Sequence, residues 1–431
     1  MKFPGRRKLT HYFPVSQPKP ILPSYEVQPD KDTYIVGLDE TIVDVLANVD
    51  HDFLTRHNIQ KGLSNLVDQK TATNIYNELI EKESISDHFA GGTIGNTLHN
   101  YSVLADDKSV LLGVMSSNIK LGSPAYHYIC HTSSKVDMNH LQGVNGDIGQ
   151  GITLITPDGE RTFAIAPGDM DELNTKHVPD NIIAHSAALV TCAYPLRHKN
   201  KPIYNAMMKA IESANKHNVP VVLTLGTQHL VEENKVLLLA IIKKSVNVLA
   251  MNELEAEALT GHKDPLLAAD FILDYVDMVL LTAGPDGLYL CGHTSKELAR
   301  ETNNPIKSGV LTDFNLFEFS RPMQKHVCTD PVKVFSHIDP YMGGPEKIQN
   351  TNGAGDGALS ALLHDISANH FHRSAIPNSS KHNAPFLTYS SFAQICKYAN
   401  RVSYEILAQN ASRLSKGLPE REDSLEESYW E

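Results

Sequence analysis

The residues best suited to chemistry lie in one glycine-rich stretch, residues 349–357, which leads into an apolar pattern of helical spacing. Its small residues are Gly353, Ala354, Gly355 and Gly357. A helix that begins in such a turn points backbone N–H groups outward at its positive end, and such an end binds anions. Asp356 stands among these donors, and phosphoryl transfer to an alcohol needs donors for the transferred group and a base for the attacking hydroxyl. On these residues alone, a glycine-rich turn with Asp356 as a first-turn helix charge is an equally good explanation.

A second glycine-rich stretch, residues 89–100, also leads from a loop into a helix. Gly91 and Gly92 permit a ligand to approach the backbone closely, and Asn96 can both donate to and accept from hydroxyl groups. Taken alone, a turn capped by Thr93 would account for the same residues. The stretch is therefore a candidate for binding a polyol, with a structural turn as the alternative.

The first predicted strand, residues 34–37, leads into a run in which apolar and polar residues roughly alternate as far as Asp50. Acidic residues in such a run usually mark the solvent-facing side of an edge strand. The functional alternative is that one of the acids of this run, Asp39, Asp44 or Asp50, binds a diol, because a carboxylate can accept hydrogen bonds from two adjacent hydroxyls.

The middle of the chain alternates short apolar runs with helical patterns. The runs, residues 187–190, 219–223, 246–250 and 278–281, suit buried parallel strands, so we expect a mostly parallel sheet with helices on both faces. Ligands of such sheets lie beyond the carboxyl ends of the strands. The polar and glycine residues that follow these strands are Thr224, Gly226, Asn252, Glu255, Thr282, Gly284 and Gly287. Asn252 as a helix cap and residues 282–287 as a β-turn are the simpler explanations.

Two apolar runs flank the turn at residues 157–159 and predict an antiparallel hairpin. Arg161 begins the second of these runs. Most arginines at such positions are ordinary exposed charges.

Composition excludes several classes of protein. The chain has 431 residues and a formal net charge of −12, which argues against nucleic acid as the main partner. No apolar run approaches the roughly 20 residues needed to cross a membrane, and the five cysteines show no paired spacing, so we expect a cytoplasmic protein. Neither a P-loop nor a dinucleotide-binding glycine motif is present.

Four stretches resemble the signatures of the ribokinase family, the PfkB carbohydrate kinases. Residues 350–356 resemble Asp-Thr-x-Gly-Ala-Gly-Asp, residues 91–96 resemble Gly-Gly-x-x-x-Asn, residues 252–255 match Asn-x-x-Glu, and residues 282–287 match Thr-x-Gly-x-x-Gly. Together they follow the family's order and cover about residues 33–410. The blocks 89–107, 341–366, 377–382 and 417–430 are further similar to the branch of the family that acts on inosine and guanosine.

The resemblance implies an α/β fold, with a ribokinase-like doubly wound, mostly parallel sheet flanked by helices and a small β lid. It divides the chain into an irregular N-terminal arm (1–32), a kinase domain (33–411) and an acidic C-terminal tail (412–431). The lid strands are expected from about residues 38–50, 88–92 and 105–170. A separate insertion is expected at about residues 292–331.

The resemblance also implies roles for individual residues. Asp356 is the general base, while the amides of Gly353, Ala354 and Gly355 hold the transferred phosphoryl group, and Arg161 reaches the same centre. Asp44, Gly92 and Asn96 bind the sugar, and Asn252 and Glu255 are associated with magnesium and phosphate. The residues expected near the nucleotide are Thr224, Gly226, Thr282, Gly284, Gly287 and Asn400.

The implied reaction is Mg²⁺-dependent transfer of the γ-phosphoryl group of ATP to the 5′-hydroxyl of inosine or guanosine, giving IMP or GMP for purine salvage. The resemblance leaves dependence on potassium open. Asn350 replaces the family's aspartate, which removes a negative charge from the part of the fold that helps hold a monovalent cation in some relatives. The lid edge offers a homodimer surface in relatives. Two alternatives stand beside this function: a family kinase for adenosine or a free sugar, and a nucleoside-binding regulator without turnover, against which the presence of Asp356 weighs.

Overall fold

The computed structural model describes residues 26–302 and 315–418. Most of the predicted N-terminal arm (1–25), part of the predicted insertion (303–314) and most of the predicted tail (419–431) therefore lie outside the described residues.

Within these two ranges the strands, in chain order, are β1 (Tyr34–Leu38), β2 (Ile42–Asn48), β3 (Ser64–Leu66), β4 (Ile85–Ala90), β5 (Lys108–Leu112), β6 (Val114–Ser116), β7 (Val136–Asp137), β8 (Gln142–Val144), β9 (Gly149–Ile155), β10 (Arg161–Ala166), β11 (Leu189–Cys192), β12 (Val221–Thr224), β13 (Val248–Asn252), β14 (Met278–Thr282), β15 (Leu288–Ser295) and β16 (Pro331–Ile338).

The α-helices of the same ranges are α1 (His51–Arg56), α2 (Gln69–Glu81), α3 (Thr93–Ala105), α4 (Pro124–Cys130), α5 (Asp180–Ala184), α6 (Pro202–Lys216), α7 (Gln228–Ser245), α8 (Glu253–Thr260), α9 (Pro265–Ile272), α10 (Ala354–Ala375) and α11 (Phe392–Leu407). None of these helices is both long and apolar enough to cross a lipid bilayer.

A nine-stranded sheet forms the core, in the order β16-β15-β14-β13-β12-β11-β1-β5-β7. All neighbours from β14 to β7 are parallel, and β15 and β16 add an antiparallel edge. Its central strands are buried throughout or nearly so, because helices flank the sheet. The predicted α/β fold and its four central parallel strands are confirmed.

The lid is a separate five-stranded sheet in the order β3-β10-β9-β2-β4. The predicted hairpin is present, since β9 and β10 pair antiparallel with Arg161 opposite Ile155. Strand β2 lies parallel to β9 and antiparallel to β4, so Asp44 lies between Gly151 on one side and Phe89 on the other.

The lid prediction was wrong in several places. Within the predicted range 105–170, β7 also belongs to the large sheet, and β6 and β8 pair in a separate two-stranded sheet. Leu38 belongs to β1, and residues 108–112 form β5 of the large sheet, where all five residues are buried and pair with β1. Strand β3 was not predicted, because three residues are too short to show a period. The lid therefore begins at β2, after the chain leaves the large sheet.

Two other boundaries differ from the predictions. The insertion was expected from residue 292, but β15 continues to Ser295 and β16 begins at Pro331, so the connection is shorter than predicted. The tail was expected from residue 412, but residues 412–418 pack against α3, with Arg413 and Leu414 buried.

Candidate active site

A cavity of about 500 Å³ lies between the lid sheet and the carboxyl ends of the strands of the large sheet. Eleven of the sequence-predicted site residues line it: Asp44, Gly92, Asn96, Thr224, Gly226, Asn252, Glu255, Thr282, Gly353, Gly355 and Asp356. They come from six separate stretches of the chain, and the fold brings them to one place. Ala354 lies between two lining residues at the start of α10.

The start of α10 forms the floor of the cavity. Gly353 caps the helix in a left-handed conformation, with φ of 84°, and no side chain accepts the hydrogen bonds of the first helical N–H groups. A Cβ at Gly353 would lie 2.5 Å from Ser412 Cβ, so glycine is required for packing as well as for conformation. At Gly355 a Cβ would meet no protein atom within 4 Å. This end of α10 therefore presents free donors beside open space, which suits an anion.

Asp356 lies in the first turn of α10, and Asn96 Nδ2 donates to its Oδ2 at 3.1 Å. Burial raises the pKa of the Asp356 carboxyl to about 7, and the nearby Asp39 carboxylate acts in the same direction. The hydrogen bond from Asn96 and the positive charge of Arg413 oppose this rise. A carboxyl with a pKa near neutrality can accept a proton during turnover and release it afterwards.

Asp44 projects from β2 toward the same cavity. Glycines make room for its carboxylate, since a Cβ at Gly91 or Gly151 would lie 2.4 Å or 2.8 Å from an Asp44 oxygen. The surrounding protein raises the pKa of Asp44 to about 6, while the charge of Arg413 opposes this. Asp44 is therefore ionised near pH 7 and accessible from the cavity, which suits the binding of adjacent hydroxyls.

Gly92 and Asp39 form the junction between the lid and α3. Gly92 precedes α3 with φ of 84°, and a Cβ there would lie 3.0 Å from Asp39 Oδ2. Asp39 Oδ2 accepts from the Ile94 N–H at 2.7 Å, so this buried carboxylate caps the helix. From the sequence, Asp39 was predicted only as an acid of a strand-like run. Its distance of 55 residues from its partner explains why the cap was missed.

Asn252 and Glu255 form a capping box at the start of α8. Glu255 N–H donates to Asn252 Oδ1 at 2.9 Å, and the Asn252 backbone and side-chain N–H groups donate to the two Glu255 oxygens at 3.0 Å each. Burial raises the pKa of Glu255 to about 7. Each carboxylate oxygen keeps acceptor capacity toward the cavity, so the pair fits Mg²⁺ bound through water and phosphate oxygens.

Thr224 and Thr282 lie at the carboxyl ends of β12 and β14, as parallel-sheet topology requires of a ligand site. Gly226 follows with φ of 93°, and a Cβ there would lie 3.0 Å from the Tyr194 ring, which also lines the cavity.

Besides Ala354, four predicted residues lie outside the cavity lining. Arg161 is exposed at the start of β10, whereas Ile165, four residues further along the strand, reaches the cavity. Asn400 is buried, with Nδ2 donating to the Asp339 carbonyl at 2.7 Å and Oδ1 accepting from the Tyr341 N–H at 3.3 Å. The two remaining residues are Gly284 and Gly287.

The positions of two of these residues have a structural explanation. A Cβ at Gly287 would lie 2.0 Å from the Ile338 carbonyl oxygen, so this glycine permits the antiparallel pairing of β15 with β16. Asn400 uses its amide to hold the turn that follows β16, which leaves it little capacity for a nucleotide.

An ion pair that was not predicted also lines the cavity. Arg197 pairs with Glu40, and its guanidinium lies 4.9 Å from the centre of the Tyr194 ring. Burial raises the pKa of Glu40 to about 8, although the charge of Arg197 opposes the rise. The two residues are 157 positions apart, so no local pattern could have joined them.

Asn350, where the family has aspartate, bonds to the segment that follows α11. Its Nδ2 donates to the Asn410 carbonyl at 3.0 Å and to Ser412 Oγ at 3.4 Å, and its Oδ1 accepts from the Asn352 N–H at 3.0 Å. The side chain therefore ties the glycine-rich turn to the C-terminal segment.

Comparisons with known proteins agree with this geometry. Residues 125–307 match the pfkB family carbohydrate kinases. The chain is 57% identical over 435 residues to the guanosine-inosine kinase of Escherichia coli (strain K12), covering 100% of both chains. Among solved structures, a probable sugar kinase from Rhizobium etli (17% identity, TM-score 0.63) covers 90% of this chain and 96% of its own. The adenosine kinase from Sinorhizobium meliloti (18% identity, TM-score 0.63) covers 90% of this chain and 97% of its own. The two structures establish the fold.

Proposed function

Because the chain belongs to the pfkB family of carbohydrate kinases, we propose that it transfers the γ-phosphoryl group of ATP to the 5′-hydroxyl of inosine and guanosine, giving IMP and GMP for purine salvage. One observation carries the proposal: a single cavity holds a carboxylate for a diol, a carboxylate at a helix N-terminus and an oxygen pair suited to Mg²⁺. The first is Asp44, the second Asp356, and the third Asn252 with Glu255. The name of the Escherichia coli relative supplies the identity of the nucleosides.

In this mechanism the lid and α3 hold the ribose. Asp44 accepts hydrogen bonds from the two ribose hydroxyls, and Gly92 and Asn96 bind the same sugar from the start of α3. The 5′-hydroxyl then faces Asp356, which accepts its proton as the oxygen bonds to the γ-phosphorus and the bond to the β–γ bridging oxygen breaks. ADP leaves with the electron pair of that bond.

The backbone N–H groups of Gly353, Ala354 and Gly355, together with the positive end of α10, stabilise the negative charge of the transferred group. Asn252 and Glu255 would hold Mg²⁺ through water, and the ion would neutralise charge on the donor phosphates. Thr224, Gly226 and Thr282 lie where the donor nucleotide would bind. Arg161 stays a prediction that requires movement of the lid, because it lies outside the cavity lining.

An ATP-consumption assay over inosine, guanosine, adenosine and ribose tests the proposal, with product identity checked by chromatography. We expect inosine and guanosine to be phosphorylated at least tenfold more efficiently than adenosine or ribose. A preference for ribose would support the sugar-kinase alternative, and no turnover with any acceptor would support a regulator. The panel is run with and without potassium, which tests the effect of Asn350 on a cation site.

The remaining expectations about partners and location belong to the same proposal. A homodimer through the lid edge is supported by the exposure of Leu66 on edge strand β3, with 76% of its surface accessible. Sedimentation velocity is expected to give twice the mass of one chain. The cytoplasmic location and the lack of a nucleic-acid partner stay predictions.

The pH dependence of the reaction follows from Asp356. Its pKa is raised to about 7 in the folded protein, and it must be ionised to act as a base. We therefore expect kcat/KM for the nucleoside to fall about tenfold per pH unit just below about 7, and more steeply below about 6, where Asp44 also becomes protonated. The profile of Asp356→Asn should lose the fall between about pH 7 and 6, whereas a fall retained there would assign it to another group.

Gly355→Ala is expected to lower kcat by about 10²-fold while the protein stays fully folded. The residue has helical backbone geometry, so alanine adds no strain, and its methyl group would point into the space where the transferred group is held. Steady-state kinetics and thermal unfolding measure the two effects.

Gly357→Ala is the matched control, because Gly357 lies on the same helix but outside the cavity lining. A Cβ at this position would lie 3.0 Å from Ile406 and 3.1 Å from Val402. The substitution should lower the unfolding temperature and leave kcat nearly unchanged. Equal loss of activity in both variants would show that helix packing, and not access to the helix N-terminus, explains the effect.

A further inference from the structure

The segment that follows α11 supplies a buried arginine to the active site. Residues 409–418 turn back from α11 and cross the first two turns of α3, where Arg413 is only 6% exposed. Its Nε donates to Asn96 Oδ1 at 2.9 Å, and Asn96 Nδ2 in turn donates to Asp356 Oδ2 at 3.1 Å. A continuous hydrogen-bonded chain therefore joins residue 413 to the candidate base.

We propose that Arg413 is a positioning residue for phosphoryl transfer, which holds the Asn96 amide in the orientation that directs an N–H group at Asp356. The inference rests on the proposed function, because it takes Asp356 as the base. It assigns a part in the reaction to a segment that the sequence marked only as the start of an acidic tail.

The argument depends on donor and acceptor types. A side-chain amide carries one acceptor oxygen and one donor nitrogen, whereas a guanidinium carries only donors. If the Asn96 amide rotated by a half turn, its NH₂ group would face the donors of Arg413 and its oxygen would face the Asp356 carboxylate. Both contacts would be repulsive. Arg413 therefore excludes the rotated amide and keeps an N–H group on Asp356.

The guanidinium is itself held on three sides. Nη1 donates to Thr132 Oγ1 at 2.7 Å and to the His131 carbonyl at 3.3 Å, and Nη2 donates to the Gly91 carbonyl at 3.0 Å. Its Cζ lies 5.2 Å from the centre of the Tyr128 ring. With these groups bonded, the guanidinium has little freedom to follow a change in Asn96, so it acts as a fixed support.

The backbone of the segment is anchored without the Arg413 side chain. The Leu414 N–H donates to Asn100 Oδ1 at 2.7 Å, and Asn100 Nδ2 donates to the Ser412 carbonyl at 3.2 Å. His99 Nε2 donates to the Leu414 carbonyl at 2.9 Å. Replacement of the side chain at position 413 should therefore leave the segment in place.

A double-mutant cycle on the full-length enzyme tests the proposal. Arg413→Met keeps side-chain volume but removes every donor, and we expect kcat with inosine to fall about 10- to 100-fold with little change in KM for ATP. In the Asn96→Ala background the same replacement should change kcat less than about threefold when both are measured at pH 8 or above, where Asp356 is largely ionised and the group through which Arg413 acts is gone. A purely structural role would give the same loss in both backgrounds, which would overturn the proposal.

Leu418→Ala is the control from the same segment. Leu418 is buried but bonds to no site residue through its side chain, so its truncation should lower the unfolding temperature without a comparable loss of kcat. If Arg413→Met does not fold, Arg413→Leu takes its place in the cycle, because it also removes every donor from position 413. A kcat within twofold of wild type for either variant, once shown to be folded, would also overturn the proposal.

Failure of this inference is distinguishable from failure of the proposed function. If Asp356 is not the base, Asp356→Asn retains activity whatever the outcome at position 413. If Asp356 is the base and Arg413 is not its support, Asp356→Asn is inactive while the cycle between positions 96 and 413 is additive.

Discussion

Asp356→Asn is expected to lower kcat for inosine and guanosine by about 10²–10⁴-fold, which is the usual effect of losing a general base. The amide has nearly the same shape as the carboxylate and can still accept the hydrogen bond from Asn96, but it cannot take the proton of the 5′-hydroxyl. Binding of ATP should persist, because the donors at the start of α10 are backbone groups. Single-turnover kinetics and calorimetric titration with a non-hydrolysable ATP analogue measure the two quantities.

The stability of the Asp356→Asn variant provides the control. The pKa of Asp356 rises from 3.8 in a model peptide to about 7 in the folded protein, so the folded state binds more protons than the unfolded state between these values. Ionisation of Asp356 therefore destabilises the folded protein as pH rises through this window. The variant should be at least as stable as wild type at pH 8, and a loss of activity below tenfold in this folded protein would rule out Asp356 as the main base.

The local structures of the candidate site that the sequence predicted are those encoded over short distances. The start of α10 and the Asn252–Glu255 pair each lie within one turn of a helix, and the spacing of glycine and polar residues indicates them directly. The parallel strands were predicted because burial on both faces produces continuous apolar runs. The family resemblance then placed these pieces in one site.

The parts that were missed depend on distant partners or on the path of a strand. Arg413 lies 317 positions from Asn96, and its role is visible only after residues 409–418 fold against α3. Arg161 was placed near the phosphoryl group by resemblance, but strand β10 carries it about four residues away from the cavity, a distance of roughly 13 Å in an extended strand. Asn400 has a polar side chain on the helix face that packs inward, and its bonds to a turn could not be known from helical spacing.

Asp44→Ala is expected to raise KM for inosine by about 10²-fold or more, with KM for ATP changed much less. Two hydrogen bonds from ribose hydroxyls to a carboxylate would be lost, and each contributes about 1.5–3 kcal/mol. Because Gly91 and Gly151 leave space around the carboxylate, alanine should cause no clash in the lid. Initial-rate kinetics with each substrate varied in turn measure the two constants.

The substrate itself supplies the matched control for this residue. Wild-type enzyme should discriminate strongly against 2′,3′-dideoxyinosine, which keeps the 5′-hydroxyl but lacks the diol, and Asp44→Ala should lose most of that discrimination. Asp44→Asn should lie between them, because an amide offers one acceptor where the carboxylate offers two. If Asp44→Ala still prefers inosine as strongly as wild type does, or if KM for ATP rises as much as KM for inosine, the carboxylate does not bind the ribose, and its effect on the enzyme must come from the geometry of the lid.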